Sequence, residues 1–226
     1  FMQKTSKEKR SIFRRIKRQY SKGIRNIIHR KGHGVHSPYV FNFIIRVIEE
    51  KARYYAYDKI EEQYKQLKIQ SKKGVVPKPQ TLKYYKLLYR ILNRVKPQHV
   101  LECGSDCGLV DTVFFLTNAE VQLTRVEESN YNTEIPAYYT TNPLSDLIYI
   151  HKQTHEGYKQ IYNLSSSKIK ETSVIIVSGI RSTKHSYTNF EEFASNKTIK
   201  VTIDIYDYAI LVASPKLNKQ TFKIGF

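Results

Sequence analysis

The sequence predicts an α/β fold: a mostly parallel sheet flanked by helices, finished by antiparallel pairing near the C-terminus and preceded by a helical N-terminal extension. Three observations predict it. Residues 100–110 read V-L-E-C-G-S-D-C-G-L-V, an apolar strand running into a glycine turn and then into the apolar helical stretch 109–116. Further strand-length apolar runs at 121–126, 146–150 and 173–177 are separated by longer segments, the spacing of a sheet with crossover connections. Residues 200–207 then alternate apolar and polar, as an antiparallel strand does.

Taken in order, residues 3–31 carry twelve Lys and Arg against the single acid Glu8. Ile12, Phe13, Ile16, Tyr20, Ile24, Ile27 and Ile28 recur at three- and four-residue steps, so the stretch reads as a basic amphipathic helix with a break near Gly23. Three roles stay open for it: packing on its own domain, binding nucleic acid or another polyanion, or lying on an anionic membrane surface. The loop that follows holds His33 and His36, and Ser37 with Pro38 is the signature of a capped helix start over 39–51. Residues 54–69 form a charged helix, 74–80 a linker with Pro77 and Pro79, and 81–95 a strongly amphipathic helix ahead of the first strand. The division expected is an extension over 2–73, a linker over 74–80 and an α/β domain over 81–226.

Beyond Arg125-Val126-Glu127 the pattern falters. Residues 129–145 are rich in Tyr and Asn and contain Pro136 and Pro143, a mix that does not favour a helix. A full strand–helix–strand unit needs roughly thirty residues, so the third strand and its helix are expected to be shortened or lost. The strand at 146–150, a helix over 154–164, the strand at 173–177, and strands at 208–214 and 221–224 complete the domain.

The formal charge of +18 on 226 residues favours polyanionic partners without choosing among them. No apolar run reaches the eighteen residues that a membrane-spanning helix needs, and no signal peptide is seen. The two cysteines, Cys103 and Cys107, are too few for a disulfide framework and lack partners for a metal site, so they read as buried free thiols in a reducing cytoplasm.

The glycine turn carries the chemistry. Gly104 and Gly108 let the backbone approach a ligand, the helix N-terminus behind them offers free N–H groups, and Glu127 ends the next strand about twenty residues on, where an acid can take both hydroxyls of a ribose. This is the pattern of a nucleotide-type site.

A resemblance sharpens it. G-H-G-V-H-S-P-Y-V-F at 32–41, followed by a basic and apolar helix, resembles the N-terminal signature of a group of bacterial S-adenosylmethionine (SAM)-dependent methyltransferase-like proteins seen mainly in Bacteroidetes. Their tyrosine-rich helix is similar to 54–67, and their turn of the form E-L-G-T-S-L-G is similar to Glu102-Cys103-Gly104-Ser105-Asp106-Cys107-Gly108. The resemblance implies a Rossmann-like class I methyltransferase fold with SAM held at Glu102, Gly104, Ser105, Gly108 and Glu127. It also exposes departures. Where such sequences follow the next strand with an Asp-Gly-Asn-His type turn, this chain reads His151-Lys152-Gln153-Thr154-His155, and the following strand ends in Ser178-Gly179 in place of paired aspartates. Those acids would hold a divalent metal or act as a base, so the expectation is a partly degenerate, metal-independent site in which His151 is the one candidate catalytic group. A catalytically inactive fold that docks on RNA, a ribosomal particle or another acidic partner is the alternative.

Overall fold

Strand β1 (His99–Cys103) lies inside the sheet, covered on both faces, with Val100 and Leu101 fully buried on opposite sides. A computed structural model describes residues 19–20, 23–25, 37–142, 144–183 and 185–226. The basic stretch 3–31 therefore lies almost wholly outside the described residues, as does the loop with His33 and His36.

Two helical segments and a long helix precede the strand: α1 (Pro38–Phe43), which runs on as a π-turn to Ile48, α2 (Ala56–Lys72) and α3 (Leu82–Val95). Ser37 caps α1 by accepting from the Val40 N–H at 3.4 Å. The carbonyls left open at the end of the π-turn are taken by buried Arg90 of α3, whose Nε donates to Val47 at 2.5 Å and Nη2 to Ile48 at 3.1 Å. Val40, Phe43, Ile44, Ile60, Leu87 and Ile91 join one hydrophobic core with the sheet, so 37–95 packs as a layer on it.

After β1 come α4 (Leu109–Thr117), β2 (Gln122–Val126), α5 (Tyr131–Thr141), β3 (Ser145–Ile150), α6 (His155–Ser165), β4 (Ile169–Ser178), α7 (Ser186–Ser195), β5 (Val201–Asp204), β6 (Tyr208–Val212) and β7 (Gln220–Lys223). They form a seven-stranded sheet in the order β2-β1-β3-β4-β6-β5-β7. Only β6 runs against its neighbours, pairing antiparallel with β4 and with β5. Alternation along the strands splits the core in two. Leu147, Tyr149 and Ile176 face α1–α4, whereas Ile148, Ile150 and Ile175 face α5–α7.

The stretch after Glu127 corrects one expectation and supports another. It does form a helix, α5, despite Pro136 inside it, because Tyr131, Ile135, Tyr138 and Tyr139 fall on one face and are buried against the sheet. Tertiary burial overrides weak local propensity there. Among the described residues no strand lies between β2 and β3, and β2 is left as the sheet edge. Helix α7 was not foreseen from the sequence.

Candidate functional site

The chain leaves β1 on one side to make β2 and returns on the other side to make β3, so a crevice opens between the carboxyl ends of β1 and β3, the place where ligands of open α/β sheets bind. Gly104 starts the turn there. Its N–H donates to Val126 at 2.8 Å and its φ is +81°, and Gly108 at the head of α4 has φ +85°, both in the region that favours glycine. A side chain at Gly104 would also meet Gln153 Nε2 at 2.9 Å and the His151 Cβ at 3.2 Å, whereas nothing lies within 4 Å of a Cβ at Gly108. Asp106 folds back onto the helix start, accepting from the Gly108 N–H at 2.7 Å and from the Tyr85 hydroxyl at 3.2 Å.

Glu127 follows β2 directly, in extended backbone with φ −83° and ψ 154°. Its side chain is exposed, and among the described residues no hydrogen bond or ion pair reaches it. Glu102, on the neighbouring strand β1, is the opposite case: fully buried. Its Oε2 accepts from Arg125 Nε at 3.1 Å and Nη2 at 3.0 Å, and its Oε1 sits 2.6 Å from His151 Nε2. Arg125 also pairs with Asp111 of α4. Burial would lower the pKa of Arg125, but hydrogen bonds and charges from Asp111 and Glu102 outweigh it and hold the guanidinium firmly charged.

His151 is the residue just beyond β3. Its N–H continues the ladder to the Cys103 carbonyl at 2.9 Å, and its ring meets the Tyr149 ring edge-on with centroids 4.8 Å apart. Gln153 Nε2 donates to the same Cys103 carbonyl at 3.2 Å, while its Oε1 is buried without a hydrogen-bond partner among the described residues. Both cysteines are free and buried, and burial pushes the Cys103 thiol up, well out of reach of a reactive thiolate.

Beside the turn lies a cavity of about 660 Å³. Ser105, Asp106, His151, Lys152, Ser178 and Asp207 contribute to its walls, together with Tyr84, Tyr85 and the proline-rich segment 77–80. The sheet thus brings together Ser105, His151 and the Ser178–Gly179 strand end, while Glu127 stands at the β2 side of the turn. Among the described residues no group of three or more His, Cys, Asp and Glu side chains converges as a metal site would require. Arg125 and Gln153 went unread as site residues. Arg125 has one sequence signal, its place two residues before Glu127 on the same strand; Gln153 has none.

No protein-family model matches the chain, and no curated protein matches it in sequence. Solved structures do match in shape. A Staphylococcus aureus protein assigned as a caffeoyl-CoA O-methyltransferase is similar with a TM-score of 0.52 at 15% identity, over 71% of this chain and 98% of that one. A Klebsiella pneumoniae protein assigned as an O-methyltransferase is similar with a TM-score of 0.51 at 12% identity, over 78% of this chain and 96% of that one. The fold is that of class I methyltransferases. At such identity the likeness carries architecture alone, so the site of this methyltransferase-type fold has to be judged on its own residues. They fit SAM on two counts: the two glycines at positive φ beside the switch-point crevice, and the carboxylate at the end of β2 that no hydrogen bond or ion pair reaches among the described residues.

Proposed function

We propose that this protein binds SAM and transfers its methyl group to a small acceptor without a metal ion. The observation that carries the reading is Glu127: an exposed carboxylate with no hydrogen bond or ion pair among the described residues, at the end of the strand adjoining the glycine turn. A carboxylate there accepts two hydrogen bonds from the vicinal hydroxyls of a ribose. The backbone of Gly104, Ser105 and Gly108 lies where the amino-acid end of the cofactor would approach the chain. SAM supplies a methyl group on a sulfonium, which keeps the carbon–sulfur electron pair when the methyl leaves. The cavity at Ser105 and His151 supplies room for the acceptor. The names of the structural neighbours support the reaction class, and the signature at 32–41 supports placing the chain with the Bacteroidetes-type group. Two free thiols support a cytoplasmic setting, and no described helix is long and apolar enough to cross a membrane.

Equilibrium dialysis against labelled S-adenosylhomocysteine at micromolar to millimolar concentrations tests the reading. Saturable retention is expected, and none at any concentration refutes it.

Two observations favour a second reading. His151 and Gln153 crowd the crevice over Gly104, and the chain carries a charge of +18, which suits a retained scaffold that docks on RNA through its basic surface. Such binding must weaken steeply as salt rises, and RNA retention on a filter that ignores salt contradicts it.

A further inference from the structure

We propose that His151 is the general base of this site, held in one tautomer by the buried Glu102 and facing a hydroxyl-bearing acceptor in the adjoining cavity; this rests on the methyl-transfer reading above. The sheet register builds the pair. Glu102 stands opposite Arg125 of β2 on one side and Tyr149 of β3 on the other, and His151 is two residues beyond Tyr149, so all four side chains share one face. Arg125 has two carboxylates, Glu102 and Asp111, which leaves anionic charge on Glu102 for a second donor. That donor is His151, at 2.6 Å with its side chain only 7% exposed.

A carboxylate only accepts, so the proton in this contact belongs to Nε2 of the imidazole. Nδ1 is then the lone-pair nitrogen of the neutral ring. No hydrogen bond reaches it among the described residues, it is not among the sealed unpartnered atoms, and His151 is part of the wall of the 660 Å³ cavity. The two carboxylates in that wall already accept hydrogen bonds: Asp106 from the Gly108 N–H and the Tyr85 hydroxyl, Asp207 from the Tyr84 hydroxyl at 3.1 Å. Burial, with Asp207 and Asp106 close by, pushes the Tyr84 and Tyr85 phenols far up, so neither gives a phenolate. The charged groups around His151 are thus Glu102 from β1, Asp106 from the turn, Lys152 beside it, Asp207 between β5 and β6, and Lys78 before α3.

In the step assigned here the acceptor O–H proton would move to Nδ1 and the O–H electron pair would stay on oxygen to bond the methyl carbon, the methyl–sulfur bond breaking with its pair left on sulfur as a neutral thioether, while Glu102 would offset the charge of the imidazolium. Water in the cavity then takes the proton. A carboxylate or thiolate acceptor would need no such base, which is why the pair points to a hydroxyl.

Diethyl pyrocarbonate acylates unprotonated imidazole nitrogen, and peptide mapping by mass spectrometry reads each histidine separately in the folded full-length chain. His151 is expected to label at least as fast as His155, whose side chain is 54% exposed and lies 3.5 Å from Glu192. Glu102→Gln is expected to slow His151 by about tenfold or more while His155 is unchanged, as when an imidazole loses the carboxylate that fixes its tautomer. Labelling that simply follows exposure, with His151 inert, overturns the proposal from the wild-type protein alone, whatever Glu102→Gln does to folding. Equal His151 rates in wild type and a folded Glu102→Gln overturn it too. Calorimetry with S-adenosylhomocysteine on the same samples separates the two readings. A reactive His151 without cofactor binding removes methyl transfer and this role with it, whereas binding with an inert His151 removes the base alone.

Discussion

Gly104 and Gly108 share a positive φ but not a neighbourhood. Alanine at Gly108 meets only the backbone penalty, about 1 kcal/mol, whereas alanine at Gly104 adds a clash with Gln153 and His151 and is expected to lose about 2–3 kcal/mol in urea unfolding. Equal losses would show that the crevice above Gly104 is open. Both glycines and Glu127 were legible in the sequence because they are a local pattern: strand, turn, helix, and an acid ending the next strand. The engagement of Glu102 was not legible. It depends on which residue of β2 and which of β3 lie opposite position 102, and strand register is a property of the assembled sheet. For the same reason the sequence marks His151 as a candidate without showing the carboxylate beside it.

At the scale of elements, α5 shows where composition misleads. Its Tyr and Asn content and Pro136 argue against a helix, yet Tyr131, Ile135, Tyr138 and Tyr139 repeat at helical spacing and bury in the cluster that holds Leu101, Val126 and Ile148. The cost of Pro136 remains in the folded state, because its missing N–H leaves one carbonyl of the preceding turn without its helical partner. Pro136→Ala is therefore expected to raise stability by about 1–3 kcal/mol in thermal or urea unfolding. A destabilised variant would mean that the proline shapes the helix it interrupts. Helix α7 was missed for a related reason: Ser186, Phe190, Phe193 and Ala194 lie on one face, but Thr188 and Asn189 between them are weak helix formers. The shortened unit after β2 was legible from length alone. What length could not tell was which half survives, and it is the helix, leaving five-residue β2 as an edge guarded by Arg125.

Across the whole molecule, the basic N-terminal stretch meets its own domain at one described point. Buried Asp204, at the end of β5, accepts from Arg25 Nη1 at 2.9 Å, from Arg181 Nη1 at 2.8 Å and from the Tyr187 hydroxyl at 3.2 Å. Burial alone would raise this carboxyl, but hydrogen bonds and charge from Arg181 and Arg25 outweigh it and hold it below the usual carboxylate range. A depressed folded pKa gives stability that is present above the unfolded value near 3.9 and is lost as pH falls through the folded value. Asp204→Asn is expected to lose about 3 kcal/mol at pH 7 and to flatten the fall in stability below about pH 4. An unchanged acid limb would assign that fall to other carboxylates. The central claim, that the glycine turn and Glu127 form a living cofactor site, is tested most directly by titrating SAM and S-adenosylhomocysteine calorimetrically into the wild-type protein and into Glu127→Ala. Two charge-assisted hydrogen bonds at about 1.5 kcal/mol or more each predict wild-type binding weakened by about a hundredfold in the variant. Binding of equal strength in both proteins, or heat in neither, contradicts the claim.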